Sequence, residues 1–187
     1  EKGPFPDLKA AEYVNGNNFA ARVLTDEMKA QIMKTGIRNS HYLSIAPTGT
    51  ISLYAGNISS GVEPIFAAEY NRKVLQKDGS KTEQRVVDYA VAKWEAGEAT
   101  EDRGKTLPPA YIDAQTLAPA DHVKMQAAIQ PYIDTSISKT INVPEDADFE
   151  TVKAGYQTAY EQGCKGCTTY RPNEITGSVI SVEKKSE

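Results

Sequence analysis

Seven consecutive residues, Ala46-Pro47-Thr48-Gly49-Thr50-Ile51-Ser52, have the types and spacing to hold an anion. Pro47 fixes its own φ and has no N–H, so an extended run has to stop there. Gly49 lets the backbone approach a ligand closely, and the hydroxyls of Thr48, Thr50 and Ser52 bracket it. Free N–H groups gathered where a strand gives way to a short helix suit phosphate oxygens. The same residues also make an ordinary strand-terminating turn, a common use of Thr and Gly. A second turn-rich cluster, Ser59-Ser60-Gly61-Val62-Glu63-Pro64, follows.

Other candidate groups are few. Cys164 and Cys167 form a Cys-x-x-Cys pair, the spacing of a redox dithiol. They follow a helix end rather than open a helix, and Lys165 is the one charge beside them before Arg171, so little lowers their thiol pKa. A structural zinc site needs four ligands, and His41 and His122 are the remaining histidines, so no metal is expected. His122 in the first turn of a helix reads either as a ligand or base, or as a surface or packing residue.

The elements that must position these groups are legible in outline. His41-Tyr42-Leu43-Ser44-Ile45 reads as a strand feeding the Pro47 loop. Before it, Thr25 caps a helix that carries Asp26 and Glu27 in its first turn and ends near Gly36, with Met28, Ile32 and Met33 as core contacts. Residues 66–76 read as extended, and Asp78-Gly79 as a turn. Residues 82–97 read as one amphipathic helix capped by Thr82 and stopped by Gly97. Its Trp94 is a packing residue that needs a partner for its N–H. Residues 98–109 read as an exposed loop, and Pro119 opens the next helix.

Tyr132 to Val143 is the clearest strand. Ile133, Thr135, Ile137, Lys139 and Ile141 share one face; Asp134, Ser136, Ser138, Thr140 and Asn142 share the other. The polar face fits a strand beside a polar cavity, and plain solvent exposure explains it equally. Asp148 then caps a helix bearing Phe149, Val152, Tyr156, Ala159 and Tyr160, which closes at Gly163, and the chain is extended again near Tyr170. This alternation of helices and strands is an α/β or α+β pattern, with no internal repeat and no dividing linker.

The totals exclude several function classes. The 187 residues suit one domain, 1–187, with a frayed polar tail over 172–187. A net charge of −4 argues against a groove that tracks a nucleic-acid polymer. No apolar run approaches the ~20 residues of a membrane span, and no signal-peptide pattern is present. Two cysteines fit a reducing, cytoplasmic setting. A first residue other than Met is read as a sign of a piece of something longer.

Three separated segments, taken in series, resemble one family. They are Ser44–Ser52 with Gly61-Val62-Glu63-Pro64, then Asp134–Pro144, then Gly163–Arg171. Together they are similar to the C-terminal half of the catalytic barrel of ribonucleotide reductases, most closely the adenosylcobalamin-dependent (class II) large chain. The resemblance implies an α/β fold, part of a ten-stranded α/β barrel that this chain leaves incomplete. It implies conversion of ribonucleotides to 2′-deoxyribonucleotides, with Ala46, Pro47, Thr48, Gly49, Thr50, Ile51 and Ser52 as the substrate-phosphate loop and Glu63 supporting it. The strand from Asp134 would be a barrel stave beside the cavity.

Adenosylcobalamin is the implied cofactor. The implied partners are a ribonucleoside di- or triphosphate, the N-terminal half of the barrel, a thioredoxin-like reductant and, through open sheet edges, a second copy of the chain. Reductases that import a radical from another subunit place a stacked tyrosine pair near the segment of Thr168-Thr169-Tyr170. Threonines here cannot carry that relay, which points to the cobalamin class. In the family, a thiyl radical on a finger-loop cysteine removes the 3′ hydrogen of the ribose. No Asn-x-Cys-x-Glu pattern of that loop occurs here. Neither Cys164 nor Cys167 is read as that residue, so no catalytic residue is assigned and the isolated chain is expected to be inactive. A barrel-completing assembly module and an unrelated phosphate-binding α/β domain are the alternative readings.

Overall fold

The computed structural model describes residues 2–97, 106–171 and 180–181. The chain opens with three helices, α1 (Ala10–Asn15), α2 (Phe19–Val23) and α3 (Asp26–Thr35). Capping sets two of them. Asn18 Oδ1 accepts from the Ala21 N–H, and Thr25 Oγ1 from the Met28 N–H, while Gly36 at φ 74° ends α3. Ile32 is buried under α3, whereas Met28 and Met33 are about half exposed. The expected core stripe of α3 thus narrows to one residue, because α1 covers only one side of a helix with few apolar positions.

Residues 41–47, the expected strand and its loop, lead without regular secondary structure to Thr48 and α4 (Gly49–Tyr54). They form no regular ladder but lie beside the 134–138 segment. The Asp134 N–H donates to the Leu43 C=O (3.2 Å) and the Ser138 N–H to the Ile45 C=O (3.0 Å). The Asp134 carboxylate also accepts the Tyr42 and Leu43 N–H groups at 2.8 and 2.9 Å.

A hairpin follows, β1 (Glu69–Leu75) against β2 (Lys81–Val87), in antiparallel register from Glu69–Val87 to Leu75–Lys81. The expected helix over 82–97 is therefore corrected. Its first half is β2, and only α5 (Tyr89–Glu95) is helical. The Asp78-Gly79 turn reverses the chain and supplies β1 with a partner, which outweighs the weak helical period of a Thr- and Val-containing stretch. The cap of α5 is Asp88, whose Oδ1 accepts from the Ala90 and Val91 N–H groups. Trp94 donates its indole N–H to the Thr106 C=O at 3.2 Å.

The second half is a β-α-β unit backed by a helix. α6 (Pro119–Ile129) leads through a short 3₁₀ turn, Gln130–Tyr132, toward β3 (Thr140–Asn142). α7 (Phe149–Glu161), capped by the Asp148 side chain, crosses over to β4 (Thr168–Tyr170), which pairs parallel with β3. The core is Val123, Ile141, Val143, Ala147 and Ala159, with Val152, Cys164 and Cys167 packed against it. Phe149 and Tyr160 lie on the outer side of α7 and are exposed. Of the expected strand over 132–143, only 140–142 joins a ladder; Tyr132 ends the 3₁₀ turn, and 134–138 lies beside 43–45 without forming a strand.

Residues 98–105, most of the expected exposed loop, lie outside the described residues, as do 172–179 and 182–187 of the expected tail. Within that tail, β5 (Ile180–Ser181) pairs antiparallel with β1 at Asn71 and Arg72. The fold is a mixed α/β arrangement with a three-stranded sheet, β2-β1-β5, and a two-stranded one, β3-β4. No closed barrel is formed among the described residues.

Candidate functional site

A cleft of about 550 Å³ gathers residues that are far apart in sequence. One side is Pro47, Gly49, Ser52 and Leu53. Ser138, Thr140 and Asn142 of the β3 segment face it together with Thr168, Thr169 and Tyr170 of β4. Asn57, Tyr70 and Arg72 close the end. The three stretches singled out in the sequence thus meet around one space. Of the seven loop residues, Pro47, Gly49 and Ser52 line the cleft, while Ala46, Thr48, Thr50 and Ile51 do not.

The loop is built to leave its amides free. Thr48 sits in the left-handed region (φ 48°, ψ 22°), which a β-branched residue adopts only when held there. Its hydroxyl does not cap α4; Oγ1 instead accepts the Gly61 N–H at 3.0 Å. Gly61 in turn has φ 57°, and a Cβ on it would lie 3.1 Å from the Ala46 carbonyl oxygen, so this close approach of two loops needs glycine. The first N–H of α4 spent internally is that of Ser52, which donates to the Thr48 C=O at 2.9 Å. Among the described residues, no acceptor is bonded to the N–H groups of Gly49, Thr50 or Ile51, and all three residues are exposed. Ser52 Oγ donates to the Ile58 C=O, so its hydroxyl is spent while the three amides before it are not.

Beneath the cleft lies an ionic group that the sequence pattern did not suggest. Lys139 occupies the apolar face of its strand and its side chain is 0% exposed. Its ammonium reaches Glu63 Oε2 (2.7 Å), His122 Nδ1 (2.8 Å) and the Thr140 C=O (3.3 Å), so its three hydrogens have partners. Glu63 Oε1 also accepts the Thr140 N–H at 2.5 Å. One carboxylate therefore ties the 59–64 loop to β3, and the supporting role expected of Glu63 has a geometry. His122 is fully enclosed, and desolvation, then the neighbouring Lys139 ammonium, push its pKa down to about 4. A neutral imidazole accepting at Nδ1 carries its proton on Nε2. His122 is thus a packing residue that receives the ammonium.

Below His122 on α6, Gln126 donates to the Gly166 C=O, and Gln130 accepts the Lys165 N–H at 3.2 Å while donating to the Thr135 C=O at 2.9 Å. This buried polar stripe clamps the turn before β4 onto the β3 segment. The signal was available as His and Gln at i, i+4, i+8, but Lys139, Gly166 and Lys165, which they meet, are 17 to 40 residues away. Gly166 packs closely there: a Cβ would lie 2.8 Å from Ser136 Oγ, and that hydroxyl would have to turn aside. Cys164 and Cys167 are free thiols, half-buried, and burial pushes both pKa values up, the opposite of an activated dithiol. Among the described residues no cluster of three or more His, Cys, Asp or Glu side chains forms a metal site, and no helix is long and apolar enough to cross a membrane.

The family profile described as "Ribonucleotide reductase, barrel domain" matches residues 1–170. A vitamin B12-dependent ribonucleoside-diphosphate reductase of Thermoplasma acidophilum is 35% identical over 163 residues, which cover 79% of this chain and 21% of the relative. One from Mycobacterium tuberculosis is 34% identical over 159 residues, covering 77% and 22%. A vitamin B12-dependent ribonucleotide reductase of Streptomyces coelicolor is 31% identical over 175 residues, covering 82% and 18%. The chain thus spans about a fifth of the length of these relatives.

Proposed function

The chain belongs to the ribonucleotide reductase barrel-domain family, and on that premise we propose that it forms part of an enzyme reducing ribonucleotides to 2′-deoxyribonucleotides with adenosylcobalamin. Its own share is the substrate-phosphate loop, residues 46–52, and one wall of the substrate cleft. The observation that carries this reading is the set of unspent, exposed N–H groups of Gly49, Thr50 and Ile51 at the start of α4. Free amides at a helix start bind phosphate oxygens without requiring a side-chain cation; Gly49 lines the cleft, and Thr50 and Ile51 follow it in the first turn of α4.

The rest of the cleft acts by position. Thr48 and Gly61 fix the loop against its neighbour, and Glu63 with Lys139 fixes that neighbour against β3. Ser138, Thr140 and Asn142 then offer small polar side chains to the sugar end of the substrate. Holding a substrate in one orientation is itself a large part of a barrier reduction.

Cobalamin supplies the radical that starts the reaction in the whole enzyme. Among the described residues neither histidine is open as a ligand to its cobalt. His122 is enclosed and bonded to Lys139, and His41 is bonded at Nδ1 to Ser40 Oγ on an exposed segment. The ten-stranded barrel is completed by the N-terminal half, and a thioredoxin-like protein reduces the intact enzyme.

Alone, the chain should not turn over nucleotide. Co-expression with a chain carrying the rest of the barrel and its finger-loop cysteine should restore cobalamin-dependent reduction, and Gly49→Asp should abolish it by placing a carboxylate among the loop amides. Space for that side chain exists, since a Cβ on Gly49 meets nothing within 4 Å. Turnover by the isolated chain, or full activity of the Gly49→Asp pair, would contradict the proposal.

A further inference from the structure

A second group in the cleft is held as though for a ligand. Arg72 projects from β1 into the cleft, and its Nη2 donates to both Asn57 Oδ1 and Tyr70 Oη, each at 2.8 Å. Tyr70 is buried, and its Oη donates to the same Asn57 oxygen at 2.8 Å, closing a three-membered network. The guanidinium also lies over the Tyr70 ring, 5.6 Å from its centre.

Asn57 is itself fixed. Its backbone has φ 66°, and its N–H donates to the Ser52 C=O at 2.8 Å, so it closes the turn that ends α4. The helix that begins at the free amides therefore ends by gripping Arg72.

The cleft holds two carboxylates, and both are committed: Glu63 to Lys139 and the Thr140 N–H, Asp88 to the first amides of α5. Arg72 has no carboxylate partner among the described residues. Of its five N–H groups, the two on Nη2 are occupied, leaving three to donate. A guanidinium pinned on one side, unpaired in charge and facing a cleft is an anion contact awaiting its anion.

We infer that Arg72, held by Asn57 and Tyr70, is a second anion-binding residue of this cleft and takes a phosphoryl oxygen of the bound nucleotide. The inference rests on reading the cleft as a nucleotide site, but it assigns the cation rather than the amide loop. Two anchors at opposite ends of α4 make the cleft sensitive to charge on the ligand, so a nucleoside without phosphate gains nothing from Arg72.

The test is calorimetric titration of the chain with ADP, inorganic pyrophosphate and adenosine, comparing unaltered protein with Arg72→Met, Arg72→Lys and Gly49→Asp. Arg72→Met should weaken ADP and pyrophosphate about tenfold or more and leave adenosine unchanged. Arg72→Lys keeps the charge but loses the planar fork, so it should fall between. It also serves if the Met variant does not fold.

Unchanged ADP and pyrophosphate binding by the Arg72 variants, with loss in Gly49→Asp, overturns the inference and leaves the amide loop standing. Loss in the Arg72 variants with none in Gly49→Asp supports the inference and removes the loop reading. A change in adenosine binding equal to that in ADP overturns the charge role. No binding of ADP or pyrophosphate by the unaltered chain up to about 10 mM overturns both.

Discussion

At the scale of single residues, the chemistry of this molecule depends on where charge is buried. Lys139 sits at an inward position of a strand, where the alternating pattern placed it among isoleucines. That much was legible; its function was not, because Glu63 is 76 residues away and His122 lies on α6. Removing the ammonium leaves a carboxylate and an imidazole without their partner in a largely dry site. Lys139→Met should therefore cost about 3–5 kcal/mol, read as a shift of the urea midpoint at unchanged slope.

His122 gives a pH signature with a definite sign. Its folded pKa of about 4 lies below the ordinary value of 6.5, so the unfolded chain binds the proton more readily. Stability is fully present above pH 6.5, declines as pH falls toward 4, and loses no more below that, to the extent of about 3 kcal/mol from this group. The charges facing it are Lys139, which depresses the pKa, and Asp121, which opposes. A melting series from pH 7 to 4 should show this slope, and His122→Gln should flatten it. An equal slope in both proteins would remove His122 as the cause.

At the scale of elements, capping decided what could be read. α3, α6 and α7 begin and end where Thr25, Pro119, Asp148, Gly36 and Gly163 place them, because caps are local in sequence. Residues 82–97 misled for the converse reason. The pairing that makes β2 comes from β1 across the Asp78-Gly79 turn, and the true cap of the following helix is Asp88, not Thr82. Asp88→Ala should cost about 1 kcal/mol, seen as a melting-temperature drop of a few degrees, while Thr82→Ala, on an exposed strand position, should cost less. The reverse ranking would restore the helix over 82–97. The strand over 132–143 was visible as alternation, but only 140–142 enters a ladder. The rest is held by Asp134, which bonds to amides about 90 residues away, and by Gln130 of the 3₁₀ turn, and neither contact has a strand signature.

At the scale of the whole molecule, the cleft exists because segments from residues 47 to 170 converge on it. Each was noticeable by itself as a Thr/Gly loop, a polar strand face or a threonine pair, but composition does not say that they meet. The resemblance linked them in series, and the fold brings them to one space. The Arg72 network was invisible in the sequence, since a strand arginine is ordinary until Asn57 and Tyr70 close on it. The chain spans about a fifth of its relatives' length, so its part in the proposed reaction is to bind and orient.

That part is tested most directly by amide NMR of the uniformly ¹⁵N-labelled chain during titration with a ribonucleoside diphosphate. The account predicts that the Gly49, Thr50 and Ile51 N–H resonances move first and furthest, in the direction of stronger hydrogen bonding, and that Gly49→Asp abolishes the shift. Saturable shifts elsewhere, with these three amides unmoved, would contradict it.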